Sequence, residues 1–166
     1  MRLLVFCILV IIMPEIIFPD SPPIKIVQQP DGDYAWVSDD PNVFTQFSQA
    51  DRKFGTAGFL AHSYGAGKQL FNLKVGDVIT YIDRMNGSKS LSDWAVRKIK
   101  VKEIRKYQTL NPKDVLSPLV NLNSGERVKA EDTTDELYRN NKRTIFQTCI
   151  EKDGNPNWGR MFVIAE

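Results

Sequence analysis

Residues 144–166 read TIFQTCIEKDGNPNWGRMFVIAE, and this closing stretch decides the fold. Two apolar runs, 144–148 and 161–165, are rich in β-branched and aromatic residues, and Gly154-Asn155-Pro156 between them is turn chemistry. The pattern predicts a hairpin with a long connection. Cys149 falls where the first run gives way to the connection, and Arg160 where the second begins. A thiol and a guanidinium are therefore expected at the same end of two neighbouring strands. Cys149 is the only cysteine beyond the leading apolar tract, and His62 is the only histidine in the chain.

Working outward, strand-like segments recur at 24–28, 34–37, 56–61, 78–82 and 94–104. Asp40-Pro41 reads as a helix start, with Val43, Phe44, Phe47, Ala50 and Phe54 at helical spacing and Gly55 as the stop. That aromatic stripe is expected to be core. His62 sits at the exit of 56–61, followed by Ser63-Tyr64-Gly65-Ala66-Gly67, whose glycine spacing is not that of a phosphate loop. A single helical turn is expected over 69–73, and Asn86-Gly87 signals a hairpin. In 94–104 the change of parity between Val96 and Ile99 predicts a bulge. Arg97, Lys98, Lys100, Lys102, Arg105 and Lys106 read as a solvated strand face rather than a nucleic-acid patch. Segment 111–125 is loop-like, and 132–139 is a short helix with acidic residues where the macrodipole favours them. Glu131, Asp132, Asp135 and Glu136 lack the spacing of a calcium loop. The sum is a mostly β domain with one or two short helices, closed as a barrel.

At 166 residues and net charge +2, the chain suits one domain, and nothing in its charge calls for nucleic acid. Arg2 precedes eleven uncharged apolar residues, Leu3 to Met13, then Pro14 and Glu15. A tract of that length fits a signal peptide; extended through Phe18 it fits an uncleaved membrane anchor, and a buried strand is the third reading. The expected division is a leader or anchor over 1–18, a linker over 19–23 and the folded domain over 24–166. Export would leave Cys149 without a disulfide partner in an oxidising compartment, either buried and inert or kept for chemistry.

The residues now carry a resemblance. A strand-exit histidine, then Thr144-Ile145-Phe146-Gln147-Thr148-Cys149, then Trp158-Gly159-Arg160 leading into the last strand, resembles the sortases, and among them the divergent sortase-like proteins of Chloroflexota-type bacteria. The resemblance runs from about Ile24 to the end. It implies an eight-stranded β-barrel and a cysteine transpeptidase, placed at the cell surface, secreted or membrane-anchored. Such an enzyme cuts a Leu-Pro-x-Thr-Gly-type sorting signal of a secreted protein and joins the new carboxyl end to an amine of the cell wall or a pilin subunit. By the same match His62, Cys149 and Arg160 are catalytic, and Thr148, Gln147, Ser63 and Trp158 lie at the substrate. No cofactor or metal is expected. The sequence departs from the family pattern at Phe146, where leucine is usual, at Ala61, where glycine commonly precedes the histidine, and at Ser63, where asparagine is frequent.

The chemistry follows from the three groups. A thiolate, not a thiol, attacks a carbonyl, and positive charge from His62 or Arg160 would favour it. His62 can protonate the leaving amine and then activate the incoming one. Arg160 cannot lose its proton, so its forked donors suit the substrate carbonyl and the oxyanion. Thr148 is expected to contact substrate or to orient the site. Taken singly, a lone histidine, cysteine or strand-end arginine is ordinary; the order of all three points to catalysis. Two alternatives stay open: a thiol hydrolase on the same fold, and a non-enzymatic surface β-barrel that binds wall or peptide.

Overall fold

The computed structural model describes residues 14–84 and 94–166. Its strands are β1 (Glu15–Ile17), β2 (Ile24–Gln28), β3 (Val43–Gln46), β4 (Ala57–Leu60), β5 (Val78–Arg84), β6 (Trp94–Thr109), β7 (Leu119–Asn121), β8 (Arg127–Val128), β9 (Thr144–Lys152) and β10 (Asn155–Ala165). Helices α1 (Ser48–Phe54) and α2 (Ala130–Tyr138) and a 3-10 helix over Ala66–Asn72 complete it. Among the described residues eight strands close in the order β10-β9-β4-β3-β2-β1-β5-β6, with β6 pairing back onto β10, and β7–β8 extends from β6. Closure leaves the eight strands without an exposed edge.

The interior is aromatic. Phe18, Phe44, Phe59 and Phe146 meet with ring centroids 5.4–6.0 Å apart, mostly tilted or edge-on, as ring quadrupoles favour. Phe146 is wholly buried, so truncating it to alanine should cost about 3–5 kcal/mol. A second core lies outside the barrel wall, where Ile145, Phe162 and Ile164 are covered by Leu119 and by Leu137 and Tyr138 of α2. Arg105 of β6 ties α2 down through Glu136 at 2.7 Å, and Lys53 of α1 pairs with Asp135 at 3.0 Å.

Several expectations are corrected. Glu15–Ile17, placed ahead of the expected domain over 24–166, is a strand of the barrel. Ile16 and Phe18 fill the barrel interior, and β1 bridges β2 and β5. Residues 19–23 are the turn from β1 to β2 rather than a linker. The expected helix from Asp40 to Phe54 is split: Val43, Phe44 and Thr45 are all buried in β3, between parallel β2 and antiparallel β4, and only the second half is helical. Gly55 does cap α1, in the left-handed region at φ 65°. Residues 34–37 form no strand. The irregularity in β6 falls opposite Ile164 and Ala165, where Lys102 is the extra residue, not between Val96 and Ile99, and Val96 simply faces out. The connection after Cys149 is short. β9 and β10 run on past Cys149 to a two-residue turn at Asp153 (φ 53°) and Gly154 (φ 76°), the mirror-image geometry that matches strand twist. The Asn86-Gly87 hairpin and the apolar tract from Leu3 to Met13 lie outside the described residues.

Candidate active site

Register assembles the site. β4 and β9 are parallel, pairing Ala57 with Thr144 through to Leu60 with Gln147, and the Ala61 amide carries on by donating to the Gln147 carbonyl at 3.1 Å. Continued by two residues, that register sets His62 level with Cys149. β9 and β10 are antiparallel, and Arg160 stands directly opposite Cys149; across the next ladder Arg160 stands opposite Tyr107 of β6.

Side-chain alternation then decides the faces. Phe59 and Ala61, Phe146, and Met161 and Val163 all belong to the barrel core. Their neighbours His62, Cys149 and Arg160 therefore point outward from three adjacent strands, with the cysteine in the middle. Neighbouring strands lie about 4.8 Å apart, so the row spans roughly 10 Å at the backbone.

Thr148 shows the opposite parity. Its side chain is buried, and its hydroxyl donates to the Ala61 carbonyl at 2.8 Å, one residue from Cys149 on one side and one from His62 on the other. Gly67 closes this corner, its amide donating to the His62 carbonyl at 3.1 Å; a Cβ there would fall 2.3 Å from the Thr148 hydroxyl. Thr148 thus faces the barrel interior, beneath the row rather than on its outer face.

Electrostatics favour a protonated thiol at rest. Burial pushes the Cys149 thiol up from its ordinary value, and the Arg160 guanidinium opposes this without cancelling it. Arg160 donates through Nη2 to the Val115 carbonyl at 3.2 Å, which leaves further donors of the fork for a ligand. On the same outer face, below the row, lies a cleft of about 440 Å³ whose lining includes Phe47, Phe54, Leu116, Gln147, Arg160 and Phe162. Ala50, Leu119 and Phe162 of the second core belong to its lining, and residues of α1 and of the N-terminal part of α2 wall it; Arg160 is the member of the row that reaches it.

Ser63 is half-buried in the turn after His62. Trp158 is half-buried on β10 with the Lys152 ammonium over its ring, 4.8 Å from the centroid. Among the described residues no cluster of histidine, cysteine or acidic side chains could hold a metal ion.

No protein-family model and no curated protein matches the sequence. Solved structures do. Sortase A of Listeria monocytogenes superposes with a TM-score of 0.52 at 13% identity, covering 93% of this chain and 85% of that one. This is the sortase fold. Sortase C-1 of Actinomyces oris is also similar, with a TM-score of 0.48 and 16% identity over 92% of this chain and 72% of the other. At such identity the likeness speaks for the fold, and the chemistry must be argued from this chain's own residues.

Within the sortase fold, the departure at Phe146 has a structural reason: the ring packs on Phe18, Phe44 and Phe59 inside the barrel and is turned away from the site. Three residues escaped the sequence reading. Tyr64 stacks on the His62 ring, with centroids 5.0 Å apart and planes 8° from parallel. Asp39 places Oδ1 3.7 Å from His62 Nε2. Gln29, fully buried, donates to the Tyr34 and Trp36 carbonyls at 3.2 and 2.8 Å and accepts from the Ser48 amide and hydroxyl, so one side chain pins the loop that leads to Asp39. Tyr64 was legible as an aromatic two residues after the sole histidine. Asp39 was hidden because Asp40-Pro41 read as a helix start.

Proposed function

We propose that this chain is a sortase-like cysteine transpeptidase that cleaves a sorting-signal peptide through a Cys149 thioester and transfers it to an amine. The observation that supports the reading is the row of His62, just past the end of β4, Cys149 on β9 and Arg160 on β10, with Arg160 reaching an adjoining cleft. The cleft, with Gln147 and Arg160 in its lining and Ser63 and Trp158 near the row, receives an extended peptide. Cys149 sulfur attacks the scissile carbonyl carbon while its proton passes to His62. The carbonyl becomes an oxyanion held by Arg160, the imidazolium gives its proton to the leaving amine, and the C–N bond breaks to leave a thioester. The acceptor amine then attacks the thioester, losing its proton to His62, and the thiol is regenerated.

The exported, surface-held location rests on the apolar tract from Leu3 to Met13. Because β1 is a barrel strand, this reading has the leader end before Glu15. β1 runs in the same sense as β4 and β9, so the chain enters the barrel from the end away from the site. An anchor there holds the catalytic mouth away from the membrane. No helix among the described residues is long and apolar enough to cross one.

The test is incubation of the purified protein with a sorting-signal peptide library, with and without an amine acceptor, beside Cys149→Ala. Ligation that needs the amine and Cys149 supports the transpeptidase. Cleavage unaffected by amine marks a thiol hydrolase. Peptide capture without any cleavage marks the binding module, and full activity of Cys149→Ala removes the nucleophile assignment.

A further inference from the structure

His62 is the member of the row that lies outside a strand. It follows β4 rather than lying within it, and 33% of its side chain is exposed. A ring in that position would rotate, and either nitrogen could carry the proton. Two neighbours restrict it. The Tyr64 ring lies flat against it and fixes its plane. The Asp39 carboxylate faces Nε2 at 3.7 Å, in ion-pair range though beyond a direct hydrogen bond.

Asp39 is itself exposed, yet its backbone is pinned on both sides. The Ser38 amide donates to Oγ1 of Thr45, a buried residue of β3, at 2.9 Å, and the Asp40 carboxylate accepts from the Asn42 amide at 2.9 Å. The loop also packs on the histidine turn, since a Cβ on Gly65 would fall 2.7 Å from the Pro41 Cα. Gln29 holds the loop's other limb. A carboxylate and an imidazole are thus delivered to each other by two segments that cannot easily part.

We propose that Asp39 is a positioning residue for His62, holding the ring by its Nε2 edge against Tyr64 so that Nδ1 is the nitrogen that exchanges protons with thiol, leaving amine and acceptor. The proposal rests on the transpeptidase reading for its effect on turnover, but the ring's tautomer is a property of the resting protein. A carboxylate facing the Nε2 edge attracts a proton on that nitrogen through space, which favours the Nε2–H tautomer of the neutral ring. Because the pair is open to solvent, the gain is small and screened by salt.

The experiment uses the tag-free protein, in which His62 is the only histidine, with ¹⁵N-labelled imidazole nitrogens. At alkaline pH the parent protein should show the Nε2–H tautomer, and Asp39→Asn should move the spectrum toward a mixture, with Asp39→Glu restoring it. In the ligation assay Asp39→Asn should lower kcat about two- to five-fold with KM and melting midpoint unchanged, and the deficit should shrink at high salt. An unchanged ¹⁵N pattern in Asp39→Asn overturns the proposal, whatever the assay shows. A changed pattern in a protein that ligates nothing keeps the Asp39 contact and removes the transpeptidase. A lower melting midpoint in both variants, with no tautomer change, reduces Asp39 to a loop residue.

Discussion

Replacing Thr148 by valine would test whether the row is built from inside the barrel. The exchange keeps the shape and deletes one hydroxyl. In the native protein that hydroxyl is buried and donates to the Ala61 carbonyl at 2.8 Å, where β4 ends and His62 begins. Valine leaves the carbonyl without this donor, at a cost of about 1–3 kcal/mol for a buried group. For a domain of this size that lowers the melting midpoint by about 2–12 °C. The bond also fixes the height of His62 relative to Cys149. Since a 1 Å misplacement can cost about 100-fold in rate, partial slippage should lower kcat by about 10-fold or more. KM should hardly move, because Thr148 faces the core and not the cleft. Thr148→Ser keeps the donor and should recover most of both losses. The assays are thermal unfolding and steady-state ligation of a cleavable peptide. A valine variant with native melting midpoint and turnover would refute the bracing role. One with raised KM and intact kcat would return Thr148 to the substrate side.

Arg160→Lys keeps the charge but loses the planar fork; the expected loss is about 2.7–4 kcal/mol in the barrier, with turnover hit harder than binding, and near-native turnover would show that charge alone suffices. Burial disfavours the Cys149 thiolate, so the pH–rate curve for alkylation by iodoacetamide should lie alkaline of a free cysteine's. Arg160→Met removes the opposing charge and should displace the curve further alkaline; displacement toward acid would contradict the burial argument. The pH profile of kcat/KM should be bell-shaped, with each limb belonging to the cysteine–histidine pair, and a flat profile would argue against the pairing. Exchanging residues 151–157 for a neutral hairpin of the same turn type should change peptide preference more than melting midpoint, because the tip is largely exposed; a collapsed midpoint with preference intact would make the ribbon structural.

What could be read in the sequence was set by the range of the forces involved. The β9–β10 pairing was legible because two apolar runs flank a turn, and with it the juxtaposition of Cys149 and Arg160. Gly55 and the α2 acids spoke clearly for the same reason: caps and dipoles act within a turn. β3 was misread as helix because Val43, Phe44, Phe47, Ala50 and Phe54 satisfy helical spacing, while the buried slot between β2 and β4 is a tertiary fact. β1 was misread for a related reason. Ile16 and Phe18 continue an apolar tract, and only closure of the ring makes Glu15–Ile17 a strand. Thr148 and Gln29 are the instructive cases. Their identities were plain, but their roles depend on hydrogen bonds to Ala61, Tyr34, Trp36 and Ser48, and the Thr148 partner is 87 residues away in sequence.

The resting state of the thiol ties these observations together. The sequence suggested that positive charge from His62 and Arg160 would set the Cys149 thiolate ready for attack, yet burial outweighs the arginine and raises the Cys149 thiol instead of lowering it. Were the protein exported as proposed, this would be protective, because oxidation and mispairing both begin with the thiolate. In the proposed transpeptidase it also bears on the first proton transfer. If sulfur keeps its proton until substrate arrives, attack and proton transfer to His62 belong to the same event, and the ring must already be aimed when the peptide docks. A histidine beyond the end of a strand has no such aim of its own. Here it is supplied by the hydroxyl of Thr148 beneath, the ring of Tyr64 against its face and the carboxylate of Asp39 at its edge. In the proposed mechanism Arg160 then acts late, on the oxyanion, rather than early, on the thiol. The cross-strand geometry is compatible with that order: Arg160 stands opposite Cys149 and lines the cleft in which the proposed peptide would dock.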